Sequence, residues 1–424
     1  MERFWRGAAA GVTASAIGLS ALAGSFLGSG LPLALDLAIG ALLGAAALVL
    51  SALLLRGLAS LGKRVPACVL VLFAAAAVLA VAFQILFDLP ALLFYPAAAA
   101  LLLAQAVLAG ALWARRWGLV LAALAVDALA IAWLAREGRD PFPAAAAMAP
   151  SPAPPELALP NPGERGEYEV ESLTYGSGTD VRRPEFGKEA AWTSRTIDGR
   201  KLLPEWEGFG ARAREWYWGF SLEKTPLNGR VWLPRGKGPF PLVLVVHGNH
   251  RMEEQSDPGY AYLGELLASR GFATVSVDEN FVNGSWSGDF RGKEMPLRAW
   301  LLLEHLRQWR EWNETKGHRV EGRVDLDRVA LMGHSRGGEA VAIAAAFNRL
   351  SHFPDDATVA FDYGFGIRSL VSIAQIDARY PRRMKLEDVS FLAIHGSYDS
   401  DEASFHGLRQ MRRIDFTGDG YHFK

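Results

Sequence analysis

"VALMGHSRGGEA" occupies residues 329–340. Val329 to Met332 is an apolar, strand-like run that stops at Gly333. Gly337 and Gly338 follow at once, and "EAVAIAAAF" (339–347) then reads as a helix. Ser335 therefore stands at the sharpest point of a strand-to-helix turn. The chemical reading is that such a turn lifts a nucleophilic hydroxyl clear of the backbone. The plain alternative is a Gly-rich turn that happens to contain a serine.

The surrounding sequence alternates strand and helix. "EYEVESLTYG" (167–176), "GRVWLP" (229–234), "PLVLVVHG" (241–248) and "FATVSVDEN" (272–280) read as strands, as do "SLVSIAQID" (369–377) and "VSFLAIHGSYD" (389–399). "YAYLGELLASRG" (260–271), "MPLRAWLLLEHLRQWREWN" (295–313) and "EASFHGLRQMRR" (402–413) read as helices, the second of them amphipathic. This alternation implies an α/β domain: a mostly parallel sheet with helices on both faces. Ligands of such sheets bind beyond the carboxyl ends of the strands.

Three strand ends carry candidate chemistry. Gly333-His334-Ser335-Arg336-Gly337 has the Gly-x-Ser-x-Gly form, and its place between a strand and a helix gives the pentapeptide its weight. Here the chain resembles the α/β-hydrolase superfamily, and within it the dienelactone hydrolase, chlorophyllase and platelet-activating-factor acetylhydrolase branch. The resemblance covers residues 220–424 and rests on the "HGN" loop, "GHSRGG" and a small cap. It implies ester hydrolysis through an acyl-enzyme on Ser335 with no cofactor, and no histidine or carboxylate spacing in the sequence resembles a metal site. It also implies an oxyanion hole made by the backbone amides of Asn249 and Arg336. Two such donors aimed at a developing oxyanion each lower a barrier by about 3–4 kcal/mol. His250 is open to shaping the pocket instead. By the same resemblance Asp399, in Gly396-Ser397-Tyr398-Asp399, is the triad acid, with Asp401 as its competitor.

The histidine expected after the acid is less clear. His406 lies in a helical stretch and reads as a surface residue, and His334 reads as a packing residue. His422 follows "RIDFTGDGY" only two residues before Lys424. The short gap from Asp399 favours a base beyond Lys424, in a chain truncated at its C-terminus, with His422 the remaining option. Asp278 and Glu279 end another strand, where helix capping or loop hydrogen bonds are the commoner use. Trp216, Tyr217, Trp218, Phe281 and Trp286 either line an acyl site or pack the core. A serine peptidase and a non-catalytic binding or scaffold protein on the same fold are the rival readings.

The first third of the chain has a different character. Apolar residues make up 50% of the 424, with the excess concentrated before residue 136. Stretches 7–28, 31–55, 66–87, 91–114 and 117–135 each approach or exceed the ~20 residues that cross a bilayer core. The first is rich in Gly, Ala and Ser, as suits close packing inside a bundle. Arg3 and Arg6, then Arg56, Lys63 and Arg64, then Arg115 and Arg116 fall in alternate loops, all on one side of these spans. The positive-inside rule then puts the N-terminus in the cytoplasm and everything after residue 135 on the opposite side. Asp36 and Asp127 fall within spans and read as residues near a span end or protonated against a neighbouring helix. The expected organisation is a membrane region over 1–139, an extended Pro/Ala-rich linker over 140–163 and a hydrolase domain over 164–424. The expected partners are the lipid bilayer and a small or lipid-like ester. A net charge of −1 argues against nucleic acid. The single cysteine, Cys68, excludes an internal disulfide.

Overall fold

The computed structural model describes residues 2–25, 32–60, 71, 74–78, 104–134, 159 and 161–418, apart from 286, 398, 400 and 403. Most of the third and fourth expected spans and nearly all of the linker lie outside the described residues. The chain forms two compact units, Met1–Leu157 and Ala158–Lys424.

In the first unit, α1 (Glu2–Gly24) packs on α2 (Leu33–Ser60), and α3 (Ala104–Trp113) and α4 (Trp117–Leu134) follow. Segments Arg3–Gly24 and Leu33–Leu53 are long and apolar enough to cross a bilayer. The α1–α2 seam explains the small residues of the first stretch. A Cβ on Gly40 would fall 2.3 Å from the Ser20 carbonyl oxygen and 2.7 Å from Gly24 Cα, so the backbones meet where no side chain intervenes. Asp36 lies buried in the first turn of α2. Asp127 lies within α4.

The second unit is built on an eight-stranded sheet. Its strands are β1 (Val170–Gly176), β2 (Trp192–Thr193), β3 (Asn228–Pro234), β4 (Phe240–Val246), β5 (Ala273–Asp278), β6 (Val324–His334), β7 (Ile367–Ile373) and β8 (Ser390–Ile394). The order across the sheet is β8-β7-β6-β4-β5-β3-β1-β2. Strands β4 to β8 run parallel, while β3 is antiparallel to both β1 and β5. The helices are α5 (Gly208–Trp218), α6 (Ala261–Ser269), α7 (Met295–Glu314), α8 (Arg336–Phe347) and α9 (His406–Met411).

The connections explain why helices cover both faces. The crossover from β4 to β5 through α6 runs one way along the sheet, and that from β5 to β6 through α7 runs the other way. Right-handed crossovers in opposite directions put their helices on opposite faces. The β6-to-β7 crossover continues in the direction of α7, and α8 accordingly packs against α7. The reversal falls between neighbouring strands β4 and β6, which makes their carboxyl ends the switch point of the sheet.

Helix α7 departs from the amphipathic expectation, because it is buried nearly all round. Its polar side chains find partners inside. Arg298 pairs with Glu279 (3.2 Å), Gln308 Oε1 accepts the Arg195 N–H (2.9 Å), and His305 Nδ1 meets the Tyr175 hydroxyl (2.6 Å). The long excursion between β1 and β3 is tied down in the same manner. Buried Arg183 bonds Asp257 (2.6 and 2.9 Å) and Asp278 (3.0 Å), and Arg230 from β3 also reaches Asp257.

Candidate active site

Strand β6 ends at His334 and α8 begins at Arg336, so Ser335 alone makes the turn. Its backbone stands at φ 53°, ψ −119°, outside the regions open to L-residues without strain. The surroundings hold it there. The Ser335 N–H donates to the Ile373 carbonyl (2.9 Å), and the Ser335 carbonyl accepts from the Gly338 N–H (2.9 Å). The flanking glycines are steric necessities. A Cβ on Gly333 would fall 2.2 Å from the Gly337 carbonyl oxygen, and one on Gly337 would fall 2.6 Å from that of His247.

The loop after β4 closes on this turn from the other side of the switch point. A Cβ on Gly248 would stand 2.8 Å from Ser335 Cβ and 3.1 Å from His334 Nδ1. His247 fixes the path of that loop. Its Nε2 accepts the Glu279 N–H (3.0 Å), so Nδ1 carries the hydrogen and donates to the Gly248 carbonyl (2.8 Å). Burial, with the Arg298 guanidinium nearby, lowers its pKa to about 3, so the ring is neutral. Asn249 Oδ1 accepts the Gly284 N–H (2.9 Å). His250 is occupied on both nitrogens: Nδ1 lies 2.8 Å from the Arg251 carbonyl oxygen and Nε2 lies 2.5 Å from Ser256 Oγ.

The two amides expected to face an oxyanion belong to these two segments. That of Arg336 follows Ser335 in the chain at the first position of α8, where no intrahelical acceptor exists. That of Asn249 follows Gly248, which abuts the serine. The Arg336 side chain turns away and bonds Glu294 and Asp289, the latter at 3.1 and 3.2 Å. Burial is the largest single influence on Asp289 and opposes its ionisation, but the bonds from Arg336 and the Arg291 N–H, with the charges of Arg336 and Arg379, together outweigh it and hold this carboxyl below its usual range. Four residues past the serine, Glu339 accepts the N–H groups of Arg379 (3.2 Å) and Tyr380 (3.1 Å). Burial raises its pKa to about 7. Side chains of α8 therefore anchor two of the loops around the turn, 289–294 and 379–380.

Asp399 lies on the turn after β8. Its Oδ1 accepts the N–H groups of Glu402 (2.9 Å) and Asp401 (3.0 Å). The Glu402 bond is the main influence holding its carboxyl below the usual range, with further help from His395 and His334. In register, Ile373 pairs with both His334 and Ile394, so Ser335 and His395 lie just past the same level, two strands apart. At ~4.8 Å per strand that is ~10 Å. Asp401 serves Asp399 as a backbone donor.

The histidines sort unevenly. His334 is exposed beside Gly248 and not a packed interior residue. His406 begins α9 and is largely buried against Glu402 (3.0 Å), contrary to the surface reading. His422 lies outside the described residues. Asp278 and Glu279 are buried in ion pairs with Arg183 and Arg298 and line no open surface. Tyr217, Trp218 and Phe281 belong to the core, and Trp216 is 65% exposed. Trp286 lies outside the described residues. Among the described residues no cluster of His, Cys, Asp or Glu side chains is arranged to hold a metal ion.

Sequence reasoning missed Glu339, Glu294, Asp289 and His395. Glu339 carried a signal, being a charged residue in the otherwise apolar "EAVAIAAAF" helix. No protein-family model matches the chain, and no curated protein matches it.

Proposed function

We propose that the second unit is a serine hydrolase of the α/β-hydrolase type, cleaving carboxylic esters through an acyl-enzyme on Ser335. The observation that carries this reading is the strained Ser335 backbone at the strand-to-helix turn of the switch point, with the Gly248 loop against it. The strand order, with β3 alone reversed among the central strands, supports the same family. Ser335 Oγ attacks the ester carbonyl, and a histidine takes its proton and returns it to the leaving alcohol. Water then repeats the sequence on the acyl-enzyme. The amides of Asn249 and Arg336 receive the oxyanion, and Asp399 orients the histidine and stabilises its cation.

In the same reading the first unit anchors the protein in a membrane, with the N-terminus cytoplasmic and the hydrolase unit on the opposite side. That location brings lipid-like esters within reach. Fluorophosphonate labelling tests the chemistry. Labelling that disappears in Ser335→Ala is the expected result. An unlabelled wild-type chain, with folding verified by circular dichroism, would count against catalysis and favour a binding role on the same fold.

A further inference from the structure

Helix α5 stands at the same end of the sheet as Ser335. Arg214, buried on its inner side, donates to the carbonyl oxygens of Phe281 (2.9 Å) and Gly288 (2.8 Å), in the segment that follows β5. Trp206, just before the helix, stacks on Phe290 of that segment. The outer side is different. Phe209, Arg212 and Trp216 recur at helical spacing and share it, with Phe209 and Trp216 each 65% exposed. Val181 extends this surface past the end of the helix. It is also 65% exposed, and its methyl groups lie against Gly219. Arg182 stacks on the Tyr217 ring (4.4 Å) beside it. The one acidic residue within the helix, Glu215, is engaged by Trp206 Nε1 (3.1 Å).

We propose that this outer face of α5, with Val181, seats on a phospholipid bilayer. Trp and Phe beside Arg is the composition that favours the headgroup boundary: the rings enter the acyl edge and the guanidinium groups meet phosphate. The same chain carries two helices long and apolar enough to cross a bilayer. The 26 residues from 135 to 160 reach at most ~90 Å even when fully extended, which bounds the distance of the second unit from a membrane that holds the first. Tethering raises its effective concentration at the surface, and a weak interfacial contact then suffices to seat it. Seating α5 turns the carboxyl end of the sheet towards lipid. The inference does not depend on Ser335 being a nucleophile.

The test uses the full chain in phosphatidylcholine/phosphatidylglycerol vesicles, with Cys68→Ser as background and nitroxide labels on Arg212→Cys, Trp216→Cys and Lys237→Cys. Lys237 lies in the turn before β4, at the opposite end of the sheet. Positions 212 and 216 should show a ratio of oxygen to nickel-chelate collision rates several-fold above that of 237. Equal ratios overturn the proposal. Low collision rates with both reagents at 212 and 216 also overturn it, since they signify a protein contact. The unsubstituted chain provides an independent readout in vesicles whose acyl chains carry a diazirine. Photo-adducts on peptide 208–218 are expected, and their absence overturns the proposal.

Discussion

Ser335 is held in a backbone conformation that costs an L-residue about 1–3 kcal/mol. Glycine meets no such penalty, although it loses about 0.5–1 kcal/mol through the freedom of its unfolded chain. Ser335→Gly should therefore raise unfolding free energy by about 1 kcal/mol in urea titrations while abolishing fluorophosphonate labelling. A destabilised Gly variant would contradict the strain. Glu339 offers a second test at this scale. Burial raises its pKa from 4.5 to about 7, so between those values the folded chain binds a proton more tightly than the unfolded one. Its contribution to stability is therefore greatest in acid and falls as pH climbs from about 4.5 to 7. Glu339→Gln keeps an acceptor for the Arg379 and Tyr380 amides without the charge. Relative to wild type it should gain up to about 3 kcal/mol between pH 5 and pH 8, read from urea midpoints. A pH-independent difference would sink this account.

Among elements, the strands from 229 to 334 and helix α8 were legible because each is a short, mostly apolar run punctuated by glycine or a charged turn. The excursion from 177 to 227 was not, because it is held by ion pairs across long sequence separations. Arg183 meets Asp257 and Asp278, and nothing local in "DVRRPEF" announces those partners. The same limit hid the anchors of the candidate site. Ser335 and its glycines are a contiguous pattern, whereas Glu294 and Asp289 reach Arg336 only through the fold. Arg183→Met tests the excursion directly. It leaves Asp278 without its ion-pair partner inside the protein and should cost about 3–5 kcal/mol of unfolding free energy by chemical denaturation. A loss below about 1 kcal/mol would mean that the excursion is held chiefly by its apolar contacts.

For the whole molecule, the two units differ in composition: the first carries two helices long and apolar enough to cross a membrane, and the second is an α/β unit on a mostly parallel sheet. At Gly24 and Gly40 the backbones of α1 and α2 approach closely, and no basic residue lies near either position in the sequence. The positive-inside rule reads Arg56, Lys63 and Arg64, with Arg115 and Arg116, as cytoplasmic loops. On the proposed topology α4 would be one further crossing after the last of these, which would carry the second unit to the opposite side. That side is a matter of parity, and one missing crossing reverses the relation between the N-terminus and the second unit. Lys237→Cys on the Cys68→Ser background distinguishes the cases in right-side-out membrane vesicles. A membrane-impermeant maleimide should label position 237 without lysis, while a cysteine at Arg3 should stay protected until the vesicles are opened. If both positions react in sealed vesicles, the crossings are even in number and α1 does not span. If 237 reacts only after lysis, the second unit faces the cytoplasm, and the lipid surface available to α5 is the inner leaflet.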